Sequence, residues 1–138
     1  MRLLVCGGRH YEDAELVQRA LIALHWRSPI SVLIHGNMTG TGIIAEGWAR
    51  RAGVPVVRYP PNWELYGSKA EHLRSQFMLN DSRSTLVMAF PGGRNTADLV
   101  QQAMKAKIAV LEIPNHDGHP LPALQQLNGL LGAAYATV

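Results

Sequence analysis

The stretch TLVMAFPGGRNTADLV, Thr85 to Val100, decides the fold. Thr85–Phe90 is an apolar run with no alternating polar face, the pattern of a strand buried on both sides within a parallel sheet. Pro91, Gly92 and Gly93 stop it, and glycine lets the backbone turn sharply and approach a ligand closely. Asn95 and Thr96 are helix-capping residue types, so a helix is expected over Ala97–Ala106. A helix entered this way points unpaired backbone N–H groups and the positive end of its dipole at the loop. Such a turn is an anion site, and for a strand–glycine–helix unit the usual anion is a phosphate; the bland alternative is a tight turn with no ligand.

The same unit recurs along the chain. Arg2–Cys6 (RLLVC) reads as a strand and Gly7-Gly8-Arg9 as a glycine turn. Asp13–Leu24 has apolar residues at helical spacing, with Asp13 as cap. Ile30–Ile34 is a second strand, followed by the glycine-rich turn His35–Gly42 (HGNMTGTG) and a helix over Ile43–Ala52 that ends at Gly53. Val54–Tyr59 is a third strand, with Pro55 near its start, where proline is tolerated most easily at a sheet edge. Pro60–Lys69 is expected to be a loop and Ala70–Asn80 a helix. A fifth strand spans Ile108–Ile113, the loop Pro114–Pro120 follows, and a last helix lies near Leu121–Leu131. Strict alternation of strands and helices predicts an α/β fold: a Rossmann-like three-layer sandwich with five parallel strands in the order 3-2-1-4-5. In that order the turns after strands 1 and 4 flank the point where the strand order reverses. Ligands lie there, beyond the carboxyl ends of the strands.

The 138 residues, 47% hydrophobic and 17% charged, suit a single globular domain over 1–138. The single cysteine, Cys6, forms no internal disulfide, which fits a reducing cytoplasm. No charged-then-apolar leader opens the sequence and no apolar run reaches ~18 residues, so no signal peptide or membrane span is expected. The net charge of +3 suits a small polyanion as well as nucleic acid.

Four segments together resemble one family. CGGRHY at Cys6–Tyr11, the HGxxxG pattern at His35–Gly40, WARRAGVPV at Trp48–Val56 and PGGRNTADLV at Pro91–Val100 are similar to the YspA-like (cpYpsA-related) branch of the SLOG superfamily. That resemblance implies a Rossmann-like nucleotide-binding domain. It also implies kinship with the Lonely Guy phosphoribohydrolases and with the DNA-processing protein DprA. The Lonely Guy enzymes carry an arginine four residues before a methionine on the helix preceding the PGG strand, and Arg74 and Met78 have that spacing. Their loop reads PGGxGTxxE; Pro91, Gly92, Gly93 and Thr96 match, Asn95 replaces a glycine, and Leu99 stands where the glutamate would be. Asp98 is one position early, about 100° away around the helix, so it does not replace that carboxylate. Where the family usually reads like HGGARGAD, the aspartate position is Gly42.

The candidate ligand-binding residues are accordingly Gly7, Gly8, Arg9, His35, Gly36, Gly40, Arg74, Pro91, Gly92, Gly93, Arg94, Asn95 and Thr96. The arginines are chosen because guanidinium pairs with phosphate oxygens. Asp98 is a weak catalytic candidate, since any acid is favoured in a first helical turn. Glu46 and Glu71 read as solvated helix residues. Cys6 reads as a buried apolar thiol. His10, His25, His72, His116 and His119 show no metal-ligand spacing, so neither metal nor cofactor is expected. Trp63 and Tyr66 either stack on a nucleobase or ribose, or cap the sheet edge or form part of a subunit contact. Trp48 is assigned to core or interface.

Three functions follow from these residues. The first is binding, sensing or sequestration of a nucleotide or nucleotide-derived ligand such as an ADP-ribose-like molecule. The second is N-glycosidic hydrolysis of a nucleoside monophosphate, which the resemblance implies and Leu99 opposes. The third, ranked last, is single-stranded DNA binding, for which no aromatic–basic platform is evident. A homodimer or higher homo-oligomer is expected, because Trp48, Trp63, Tyr66, Phe77 and an apolar final helix are more large apolar surface than a small monomer hides.

Overall fold

A computed structural model describes residues 1–36 and 39–114. Five strands alternate with helices: β1 (Arg2–Cys6), α1 (Ala14–Arg27), β2 (Val32–His35), α2 (Thr41–Ala52), β3 (Val56–Arg58), α3 (Trp63–Tyr66), α4 (Ala70–Ser82), β4 (Leu86–Ala89), α5 (Arg94–Lys105) and β5 (Ala109–Glu112). The sheet is parallel, in the expected order β3-β2-β1-β4-β5. β1 is therefore the middle strand, with Leu3 opposite both Leu33 and Leu86.

Alternation along the strands divides the core in two. Leu3, Val5, Leu33, Met88 and Leu111 point to one face and pack on Val17, Leu21 and Leu24 of α1 and Ala45 and Trp48 of α2. Leu4, Ile34 and Val87 point to the other face and meet Met78 and Leu79 of α4 and Leu99 and Ala103 of α5. Each face of each inner strand is thus covered, which is why β2 and β4 are buried at every position. Trp48 is 6% exposed and sits edge-on to His25, so it belongs to this core and not to an unsatisfied surface.

The ends of several elements shift for identifiable reasons. β2 starts at Val32, because the Ile30 N–H donates to His25 Nδ1 (3.0 Å) instead of to a neighbouring strand. Pro55 immediately precedes the edge strand β3, where its missing N–H costs no ladder bond. The segment expected to be a loop holds α3, capped by Asn62 Oδ1 accepting from the Leu65 N–H (3.0 Å). α5 begins at Arg94, so Asn95 and Thr96 lie inside its first turn and the cap is Gly93. Asn37, Met38, the loop after Pro114, His116, His119 and the expected final helix lie outside the described residues.

Candidate anion-binding cleft

Three loops meet above the carboxyl ends of β1, β2 and β4, and the peptide at Gly8 ties them together. Its N–H donates to the Pro91 carbonyl (2.9 Å), and its own carbonyl accepts from the Thr41 N–H and Oγ1 (both 3.3 Å). The contacts are close enough to exclude side chains. A Cβ on Gly7 would come within 2.3 Å of Thr41 Oγ1, and one on Gly92 within 2.2 Å of Thr96 Oγ1. Gly40 has φ +78°, and a Cβ there would meet the Gly8 carbonyl at 2.4 Å. Gly7, Gly40 and Gly92 are therefore needed for packing between loops.

The two helix entries differ. The first N–H of α2, that of Thr41, donates to the Gly8 carbonyl, although α2, like α5, has no side-chain cap and no acid in its first turn. α5 has no side-chain cap and no acid in its first turn. The N–H groups of Arg94, Asn95 and Thr96 have no partner inside the helix. They face a cleft of about 670 Å³ walled by Gly7–Tyr11 on one side and Pro91–Thr96 on the other. A Cβ on Gly93 would meet nothing within 4 Å, so this glycine opens onto free space.

Beneath the cleft, a cavity of about 40 Å³ lies between Cys6, Gly36, Arg74, Met78, Thr96 and Leu99. Arg74 reaches it from α4. Its Nη1 donates to the carbonyls of Gly36 (2.9 Å) and Tyr59 (3.3 Å), while Nε is buried without a partner. A Cβ on Gly36 would come within 2.1 Å of Nη1, so Gly36 exists to admit this guanidinium. Burial pushes the Arg74 pKa down from its usual value. Burial also pushes the Cys6 thiol up to about 12, which favours its protonated form at neutral pH. Tyr11, whose ring packs on Phe90 (centroids 5.9 Å apart), likewise holds a buried hydroxyl without a partner at the cleft wall.

The structure gathers Gly7, Gly8, Arg9, Pro91, Gly92, Gly93, Arg94, Asn95 and Thr96 around the outer cleft, and Gly36 and Arg74 around the inner cavity. Arg9 is bound through Nη2 to Glu71 Oε1 (3.1 Å), and exposed Arg94 makes no ion pair among the described residues. His35 is fully buried below the loops and Gly40 packs against Gly8. Asp98 points to the outer surface between α4 and α5. It bonds to His72 Nδ1 (2.9 Å) and Gln102 Nε2 (2.9 Å) and lines neither cavity.

Glu46 and Glu71 are not the solvated residues expected: they are 6% and 4% exposed. Glu46 collects His35 Nε2 (2.8 Å), Arg50 Nη2 (3.2 Å) and both Nε (2.6 Å) and Nη2 of Arg58. The Arg58 guanidinium holds the Glu46 carboxyl well below the usual carboxylate range, and His35 and Arg50 add to this against the opposing effect of burial. Burial lowers the His35 pKa despite that carboxylate. Gly42 makes room for the ring, since a Cβ would sit 2.9 Å from His35 Nδ1. Glu46 lies one helical turn after Gly42 on α2. Sequence reading missed this cluster and Tyr11; the four-residue step from Gly42 to Glu46 was the available signal.

Residues 1–66 match the model of the YspA, cpYpsA-related SLOG family. The matched part contains the β1 and β2 turns; the PGG turn lies beyond it. No curated protein matches the sequence. Among solved structures, the chain is similar to DNA processing protein A (DprA) from Streptococcus pneumoniae, with TM-score 0.67 and 15% identity over 93% of this chain. It spans 56% of that structure. The molybdenum cofactor binding protein from Rippkaea orientalis matches with TM-score 0.61 and 20% identity, over 94% of this chain and 83% of that one. The Moco carrier protein from Chlamydomonas reinhardtii matches with TM-score 0.58 and 16% identity, over 99% and 94%. These likenesses establish the fold. No helix among the described residues is long and apolar enough to cross a membrane.

Proposed function

We propose that the protein binds a phosphate-bearing, nucleotide-derived ligand, with phosphate seated on the first turn of α5. One observation carries the reading. The two buried side-chain polar atoms that lack a partner among the described residues, Tyr11 Oη and Arg74 Nε, both belong to residues lining this cleft and the cavity below it. A buried unmade hydrogen bond costs about 1–3 kcal/mol, so a ligand oxygen that satisfies either atom gains that much locally. The uncapped N–H groups of α5 supply backbone donors, and its dipole favours an anion.

Binding without turnover is favoured because, among the described residues, neither cavity is lined by a carboxylate. General acid or base work at a glycosidic bond needs one within reach of the substrate. A thermal-shift panel tests the reading, followed by chromatography of each mixture. The panel holds AMP, ADP, ADP-ribose, the molybdenum cofactor, for which two structural neighbours are named, and a single-stranded oligonucleotide, after DprA. Stabilisation by a small phosphate ligand with no new product is expected. Release of free base would move the assignment to hydrolysis, and a response to the oligonucleotide alone would overturn it.

A further inference from the structure

A third space, a groove of about 630 Å³, opens at the β3 edge of the sheet. Tyr59 and Pro60 form one side, Tyr66 the end, and Leu73 and Phe77 of α4 the other side. The Tyr59 ring meets Phe77 edge-on (62° between planes, centroids 5.9 Å apart), and its hydroxyl donates to Asp81 Oδ2 (2.6 Å), which fixes its orientation. Tyr66 and Phe77 are 47% and 61% exposed, so aromatic area is presented to whatever enters. Polar groups at the rim are few. Asn62 spends its carbonyl oxygen on the cap of α3, leaving its amide N–H groups to donate, and Arg58 is held in place by Glu46. An aromatic-walled groove with two or three fixed donors is the chemistry that holds a planar heterocycle.

Arg74 lines this groove and also the inner cavity under α5, so one side chain links the two spaces. Its Nε is buried without a partner among the described residues. The distance to be bridged follows from the sheet. The loops after β4 and β3 are three strand spacings apart, roughly 14 Å at ~4.8 Å each. That favours a ligand with a diphosphate link over a lone phosphate.

We propose that the β3-edge groove seats the heterocycle of a diphosphate-linked nucleotide, whose phosphate end lies at α5 and whose linking oxygens reach Arg74. The inference rests on the phosphate reading above and adds a second subsite to it. A free phosphate then uses only the cleft, and a nucleoside only the groove.

The test is titration of the full chain with pyrophosphate, adenosine, AMP, ADP and ADP-ribose, in the wild type and in the Tyr66→Ala, Phe77→Ala and Gly93→Asp variants. Melting curves and light scattering accompany each variant. Tyr66→Ala and Phe77→Ala are expected to weaken ADP-ribose at least tenfold and leave pyrophosphate unchanged. Tyr66→Phe should retain affinity, and ADP should bind more tightly than AMP. Pyrophosphate binding lost in Gly93→Asp, with ADP-ribose indifferent to both aromatic changes, would overturn the groove and leave the phosphate reading intact. If the wild type binds no phosphate compound, the phosphate reading falls, and adenosine-induced chemical-shift changes decide the groove separately: changes at Tyr66 and Phe77 uphold it, their absence sinks it. A change of oligomeric state in the aromatic variants with adenosine binding unaltered would assign the rings to a subunit contact and refute the groove.

Discussion

Gly93 offers a perturbation in which stability and binding should move in opposite directions. It caps α5 at φ −96°, outside the left-handed region that favours glycine, and an added Cβ meets nothing within 4 Å. An aspartate there can accept from the N–H groups of Asn95 or Thr96, donors the cap now leaves without a side-chain partner. Changing glycine to a good cap is worth a few tenths of a kcal/mol. A negative charge at a helix N-terminus adds about 0.3–1 kcal/mol at low salt. The unliganded Gly93→Asp protein should therefore be more stable by about 0.5–1.3 kcal/mol, a Tm rise of roughly 2–5 °C for a chain this size. The same carboxylate occupies the donors a phosphate needs and repels it, so anion affinity should fall more than tenfold. Calorimetric melting gives the first number and titration with pyrophosphate the second. A variant that melts lower, or that melts higher yet binds undiminished, would refute the idea that the α5 N-terminus is free and used. Gly92→Ala is the contrasting control: its Cβ would strike Thr96 Oγ1 and the Gly8 nitrogen (2.8 Å), so it should lose stability and binding together.

Three further outcomes are expected. Arg74→Ala should weaken nucleotide binding by about 1.5–3 kcal/mol, the scale of a hydrogen bond to a charged group, and Gly36→Ala should mimic it by displacing the guanidinium; unchanged affinity in titrations of both would remove Arg74 from the site. The pKa values of His35 and Glu46 are both lower in the folded chain, so each contributes stability that is present above its ordinary pKa and lost as pH falls. Melting temperature should therefore decline below the ordinary histidine pKa of 6.5 and more steeply below the ordinary glutamate pKa of 4.5, and Glu46→Gln should flatten the lower part of that curve. We propose that the protein self-associates through exposed Trp63 and Leu65 (52% and 67% exposed), so that light scattering reports a dimer and Trp63→Ser shifts it toward monomer.

The alternation of buried runs and glycine turns made the sheet legible, order included, because a strand covered on both faces has no polar alternation to confuse it. The PGG loop was equally plain. The purposes of its glycines were not, since Gly92 and Gly93 read alike in the sequence. One is packed against Thr96 and the other faces open space. Glu46 and Glu71 were misread for a related reason. A carboxylate on a helix is normally solvated, and only the convergence of Arg58 and His35 from other elements on Glu46, or of Arg9 on Glu71, reveals burial. Arg74 was found by its spacing to Met78, yet its bonds to the Gly36 and Tyr59 carbonyls depend on two loops distant in the sequence.

The peptide at Gly8 also sets the order of events as the chain folds. Its partners are Thr41, 33 positions along, and Pro91 in the second half of the sequence. The Thr41 bond needs β2 docked on one side of β1, and the Pro91 bond needs β4 docked on the other. Closing such large loops is the slow part of building a parallel sheet. The loop cluster is therefore expected to form late in folding: a collapsed intermediate with its helices formed but β4 undocked has no cleft to offer.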